Sequence, residues 1–295
     1  MKKFILALAL AIMPLVSNAT EMGIAAGQKG STSYEMISDI ARVCKSSQIN
    51  LVTSEGSLDN IARISGDKAV QMGYSQEDAL IYQQGIDPKM MQRIQMVFPL
   101  YTAELHIIVS DRSNIRSLAD LAGKRVIESD EGSGTWVTAQ VVKSLTGLSW
   151  NAMNMSKKDS VRAVQTGQAD AAFFVEGRPV SALQNATGIR LIPVNDQRLS
   201  NFKYYTKTLI PSGSYAFQPG VLSTYKINVG LMTFAFKNQY QKEIGDLVSC
   251  ITRNLDTLQA TGHPKWRDVD PLDIDKIQWQ THPAAVAAIK RELKK

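Results

Sequence analysis

Apolar residues recur along this chain at two spacings, and the alternation between them predicts its architecture. Met22 to Gly27 is a short, continuous apolar run ending at glycine, the pattern of a buried strand. From Tyr34 to Cys44 the apolar positions fall at helical spacing, with Met36, Ile37, Ile40 and Ala41 on one face. The unit then repeats. Ile49 to Thr53 reads as a strand, and Ser57 as the cap of a helix that turns Leu58, Ile61 and Ile64 inward. Ala69 to Gly73 reads as a third strand, followed by Ser75 and by Glu77 and Asp78, whose charges suit a helix first turn. Strands alternating with amphipathic helices predict an α/β fold with a parallel sheet covered by helices.

Ile94 to Leu100 and Leu105 to Ser110 read as two more apolar strands, and a second series begins after them. Ser117 to Asp120 has the form of a capped helical turn, Arg125 to Glu128 of a strand and Val137 to Leu145 of a helix. Val161 to Thr166 reads as a helix, Ala169 to Val175 as a buried strand, Val180 to Ala186 as a helix and Arg190 to Val194 as a strand. Ile210 to Thr224 contains Pro211, Gly213, Pro219 and Gly220 and reads as loop. Tyr225 to Phe236 is then a long strand, and Lys242 to Leu258 a helix with Ile244, Leu247, Val248, Ile251 and Leu255 inward. A long strand at each changeover predicts two lobes: 20–109 together with 226–295, and 110–225. There is no internal repeat.

The start of the chain changes the picture of where this fold works. Met1-Lys2-Lys3 is followed by an apolar run from Phe4 to Val16 and by Ser17-Asn18-Ala19. A basic start, a short apolar stretch and a small-x-small end predict a signal peptide, 1–19, cut after Ala19. The run falls short of the ~20 residues that span a bilayer. Export to the periplasm is therefore expected, with about 275 residues left to fold.

With 44% hydrophobic and 20% charged residues, the chain can bury a sizeable core. The formal charge of +6 includes Lys2 and Lys3, so the exported part carries +4. Its basic residues are dispersed among acidic ones, which excludes a nucleic-acid footprint. Cys44 and Cys250 are the two cysteines. An oxidising compartment permits a disulfide between them. Cys44 also lies on the apolar face of its helix, where a free thiol would serve as a small hydrophobe, and the Cα separation decides between the two.

Candidate chemistry concentrates where strands pass into helices, the usual ligand position in open α/β sheets. Glu131-Gly132-Ser133-Gly134-Thr135-Trp136 lies between a strand and a helix. Hydroxyls and helix-start amides there suit a carboxylate, and Trp136 offers a stacking face. Ser31, Thr32 and Tyr34 follow the first strand, Glu55 and Ser57 the second, and Gln76 the third. Phe174, Val175 and Glu176 end the central strand of the second series, where Glu176 suits an ammonium group. Tyr101 and His106 flank the first changeover, His106 in a structural role.

Enzyme readings find no support. His106, His263 and His282 are the only histidines, and none forms a metal-spaced pair. Ser133 lacks a Gly-x-Ser-x-Gly frame, and no Gly-x-x-x-x-Gly-Lys or Gly-x-Gly-x-x-Gly cofactor motif follows a strand. The expectation is a binding cleft with no cofactor and no metal.

Seven strings in order carry a family resemblance. They are Gly30-Ser31-Thr32-Ser33-Tyr34, Glu55-Gly56-Ser57-Leu58-Asp59-Asn60, the segment Leu105 to Val109 with Ile115 to Val126, and the glycine-serine turn. Ala169 to Gly177, Ile210-Pro211-Ser212-Gly213-Ser214-Tyr215 and His282-Pro283-Ala284-Ala285-Val286 complete the set. Over nearly the whole exported sequence the chain resembles the TAXI-type solute-binding proteins of tripartite ATP-independent periplasmic (TRAP) transporters. The resemblance implies a two-lobed, type II-like periplasmic-binding-protein fold, each lobe a mixed, mostly parallel sheet flanked by helices and hinged by crossover strands. It implies capture of a carboxylate-bearing solute, such as glutamate or a related organic acid, and delivery to an ion-gradient-driven TRAP permease. A rival with the same lobes is a ligand sensor partnered with a membrane receptor or sensor kinase. Two departures lie near the expected cleft: Ser33-Tyr34-Glu35 replaces the family's Tyr-Tyr-Pro ending, and Glu55 replaces a glycine before Gly56-Ser57.

Overall fold

The structure, a computed structural model, describes residues 21–235 and 239–294. The expected signal peptide with its cut after Ala19, and Phe236 at the end of the last expected strand, lie outside the described residues. Ten strands follow in chain order: β1 (Met22–Gly27), β2 (Ile49–Thr53), β3 (Met72–Gln76), β4 (Ile94–Ser110) and β5 (Arg125–Ile127). The rest are β6 (Asn151–Met153), β7 (Ala171–Glu176), β8 (Ile189–Leu191), β9 (Thr206–Ile210) and β10 (Leu222–Phe234). The helices between them include Thr32–Val43, Ser57–Gly66, Glu77–Ile86, Gly134–Thr146, Lys157–Gln165 and Gln241–Arg253.

Hydrogen bonding orders the strands β2-β1-β3-β10-β4-β7-β5-β6, with β8 beside β4 and β9 beside β10. β1, β2 and β3 are parallel, as are β5, β6 and β7, whereas β4 and β10 run antiparallel to their neighbours. Ile94 to Glu104 of β4 pairs with β10, and Glu104 to Val109 pairs with β7. The two α/β series therefore share one ladder through their two longest strands. Each is mixed and flanked by helices, as expected.

Continuous apolar strands arise because both sheet faces are covered. On β7, Phe173 packs into one cluster with Ile107, Val126 and Trp150, while its neighbour Phe174 packs on the opposite face with Ile108, Val164 and Leu183. Behind β1, Met36, Ile37 and Ile40 pack onto Ile24. The helix end at Cys44 is joined to Cys250 by a disulfide with a Cα separation of 5.9 Å, which resolves the cysteine question in favour of a bridge.

Several expected elements shift, each for a local reason. Ile94 to Leu100 and Leu105 to Ser110 form one 17-residue strand. Residues 101–104, left outside both expected strands, stay in the ladder with Glu104 buried between the Lys265 ammonium (2.6 Å) and the Arg178 guanidinium (3.0 Å). The third strand runs to Gln76 instead of ending at Gly73, because the polar Ser75 and Gln76 remain in the ladder and buried. Ser57 does not cap its helix. Gly56 holds that position at φ +133°, which favours glycine, and Ser57 is the first helical residue. The helix expected over Val180 to Ala186 is a single turn, Ser181–Gln184. Lys242 to Leu258 breaks at Asn254 into two helices. The loop-rich stretch begins with the end of β9 and gives way to β10 at Leu222.

Candidate functional site

The ends of β1 and β3 face the ends of β5 and β7, and three helix starts converge between them. Ser31 caps the helix Thr32–Val43, Ser133 caps Gly134–Thr146, and Ser156 caps Lys157–Gln165. Each hydroxyl accepts from a backbone N–H of its own first turn, for example Ser133 Oγ from Trp136 N at 3.1 Å. A hydroxyl used in this way keeps its own proton to donate.

Between the two halves lies a cavity of about 20 Å³, room for one water. Ser31, Ser33, Glu55, Tyr74, Gln76 and Tyr101 line it from the first half; Ser133, Gly134, Thr135, Lys157, Val175 and Glu176 line it from the second. Tyr101 OH and Ser33 Oγ are 2.6 Å apart. Burial pushes the Tyr74 phenol up to about 12 and Tyr101 higher still, so both stay protonated hydrogen-bond donors. Gln76 Nε2 donates to Val175 O at 3.2 Å, while its Oε1 is buried without a partner. Glu55 accepts from Gln28 Nε2 at 2.8 Å.

Glu176 and Lys157 form an ion pair at the outer edge of this cavity. Burial pulls the Lys157 ammonium down to about 8, against the pull of Asp130. Burial also raises the Asp130 carboxyl, helped by Glu55 and opposed by Lys157. The site thus mixes neutral donors, helix-start amides and one fixed charge pair. It presents no nucleophile with an adjacent base.

Direct bonds tie the two halves together around the cavity. Thr32 Oγ1 donates to Gly177 O at 2.9 Å, Leu58 N to Gly132 O at 2.9 Å and Ser181 Oγ to Gly30 O at 2.5 Å. The approach is close at Gly134, where an added Cβ would stand 2.3 Å from Gln76 Oε1 and 2.8 Å from Ser57 Oγ.

Of the residues expected here, Ser31, Glu55, Gln76, Tyr101, Ser133, Gly134, Thr135, Val175 and Glu176 come together at the cavity. Thr135 Oγ1 accepts from Val175 N at 3.2 Å and so holds the end of β7 in place. Five others lie apart from the lining. Thr32 bridges to Gly177, and Ser57 Oγ accepts from Gln76 N at 3.2 Å beneath the cavity. Tyr34 packs against the core of the first half. Trp136 makes an edge contact with Tyr82, ring centroids 5.8 Å apart. Phe174 points to the far face of the sheet, as strand alternation requires of the neighbour of Val175.

Sequence reasoning missed Ser33, Tyr74 and Lys157. Tyr74 stands two residues before Gln76 on β3, so the same period-2 face was the available signal. Lys157 follows β6, a strand too short and too polar for periodicity to reveal.

Residues 24–290 match the NMT1-like family. The chain belongs to this family. Solved structures place this NMT1-like chain among type II periplasmic binding proteins in fold. A periplasmic transporter protein superposes with a TM-score of 0.58 at 12% identity, covering 95% of this chain and 98% of that one. The amino acid ABC transporter substrate-binding protein AbpA from Streptococcus pneumoniae, bound to L-arginine, gives 0.51 at 15% identity, covering 91% and 96%. The periplasmic aliphatic sulphonate-binding protein SsuA from Escherichia coli gives 0.50 at 16% identity, covering 92% and 82%. The NMT1-like chain thus has the α/β type II fold of periplasmic binding proteins, with mixed sheets and flanking helices.

Proposed function

We propose that this protein is an exported solute-binding receptor that closes its two lobes over a small carboxylate-bearing solute and delivers it to a membrane permease. The observation that carries this reading is the cavity between the halves, where Gln76, Ser133, Thr135 and Glu176 meet beside three helix starts. Hydroxyls and amides at such ends stabilise a carboxylate by about 1.5–3 kcal/mol for each charge-assisted bond, before ordering costs. With room for one water, the cavity admits a solute only when the lobes part. Taken as 20–109 with 226–295 and 110–225, the lobes would turn about β4 and β10. Ligand then favours the closed form because only closure lets both sets of groups touch it.

The apolar run near the start of the chain and the similar structures described as a periplasmic transporter and a periplasmic sulphonate-binding protein support export. The seven TAXI-like strings favour a TRAP-type permease as partner and an acidic amino acid, such as glutamate, or a related organic acid as solute. Isothermal titration with glutamate, glutamine and small dicarboxylates tests the solute class. Heat from at least one is expected, with a more compact particle in small-angle scattering. Silence from all of them removes the acidic-solute reading.

A further inference from the structure

Outside the Lys157–Glu176 pair the site opens into a second, larger pocket of about 500 Å³. Lys157, Glu176 and Ser31 line both spaces, so the ion pair is the partition between them. The outer walls come from Lys29 and Gly30 in the first half and from the helix Lys157–Gln165 with the turn at Ser181 in the second.

The charge of this pocket is one-sided. Lys29, Lys158 and Arg162 line it, and among the described residues none of their side chains has an ion-pair or hydrogen-bond partner. Its one acidic lining residue, Glu176, is already neutralised by Lys157. Lys158 and Arg162 are four residues apart on one helix, so they stand side by side, an arrangement of like charges that destabilises a helix. The acid between them, Asp159, is turned away into the cap, bonded to Ser156 Oγ at 2.7 Å. Lys158 also sits in the first turn of its helix, where the dipole already favours negative charge and disfavours cations. Such a placement lowers stability for the empty protein and is relieved by an anion.

We propose that this outer pocket is an anion subsite continuous with the inner cavity, and that the ligand is an organic polyanion with a second carboxylate or phosphate held by Lys29, Lys158 and Arg162. The proposal rests on the receptor reading and narrows it. One anionic end reaches the hydroxyls and helix-start amides of the inner cavity, and the other occupies the basic pocket. Lys157, between them, can exchange Glu176 for ligand oxygen. The volume suits such a molecule, since ligand pockets commonly measure ~300–1,000 Å³.

The test is titration calorimetry on the full chain with propionate, glutamate, citrate and 3-phosphoglycerate at low and high salt. Citrate or 3-phosphoglycerate should bind roughly tenfold tighter than propionate, with an advantage that shrinks as salt rises. The preferred probe of the two tells carboxylate from phosphate. Lys158 and Arg162 are exposed, so a Lys158→Gln/Arg162→Gln protein should fold and melt no lower than the parent. It should lose roughly tenfold in affinity for the polyanion and less than about twofold for propionate. Polyanions that bind no tighter than propionate, or a double variant with unchanged affinity, overturn the subsite. If propionate binds while the polyanions gain nothing, the receptor reading stands and the subsite falls. If no carboxylate binds, both fall.

Discussion

Asp78 lies fully buried between the halves, its Oδ2 accepting from Thr138 Oγ1 at 2.5 Å and from the Tyr205 hydroxyl at 2.9 Å. Its Oδ1 has no partner, and burial pushes the carboxyl from 3.8 up to about 6. The folded state therefore holds a proton that the unfolded chain has released between those values, so stability falls as pH rises through that window. His106 acts in the opposite sense. Its Nδ1 donates to Glu104 O at 2.9 Å, its Nε2 accepts from the Tyr215 hydroxyl at 2.9 Å, and burial lowers it from 6.5 to about 4. The unfolded chain binds the extra proton there, so the stability due to neutral His106 is complete above about pH 6.5 and drains as pH falls towards 4. The two slopes oppose each other across roughly pH 4–6. Asp78→Asn should remove one of them: a gain of about 1–3 kcal/mol at pH 7.5 that fades towards pH 4, with urea melts then rising steadily from pH 4 to 6.5. His106 was readable from sequence as structural, being an isolated histidine in an apolar strand. Asp78 read as an ordinary first-turn acid, because its partners come from the other half of the chain.

At the scale of elements, the helix Gly134–Thr146 is where folding and the proposed binding meet. Ser133→Ala removes the cap and should cost about 1 kcal/mol in thermal or denaturant melts. It should also weaken solute binding in calorimetry, since the freed Trp136 N–H no longer holds the first turn in place. Gly134→Ala separates the two effects. Alanine favours a helix, yet its methyl would meet Gln76 and Ser57 across the gap, so affinity should drop roughly tenfold or more while the melting temperature stays near the parent's. A variant that binds normally would show that the halves never approach this closely. Strands covered on both faces, such as β1 and β7, were legible as apolar runs. β3 and β4 were harder, because Gln76 and Glu104 are polar residues kept inside by partners in distant segments. No local pattern encodes such partners.

For the whole molecule, the Cys44–Cys250 bridge closes a loop of 206 residues and ties the first helix of the fold to one near its end. Loop closure of that size restricts the unfolded chain by about 5 kcal/mol in the entropic account. Reduction, or a Cys44→Ser/Cys250→Ser protein, should lower the melting temperature by roughly 5–10 °C. Solute affinity should be unaffected, because both cysteines lie behind the first sheet half and away from the cavity. Two α/β series were visible in the sequence as repeated strand–helix units. That they share a ladder was not, since pairing of β4 with β10 joins segments from opposite ends of the chain.

The side-by-side course of β4 and β10 sets what the molecule can do when its halves separate. Two bonded ribbons flex together about a common axis far more easily than they slip past each other, so the proposed opening would be a swing with one degree of freedom. The margins of the sheet, β2 and β6, then travel furthest. Fluorophores at the exposed Asn50 and Ala152 would follow the full sweep as a single changing separation.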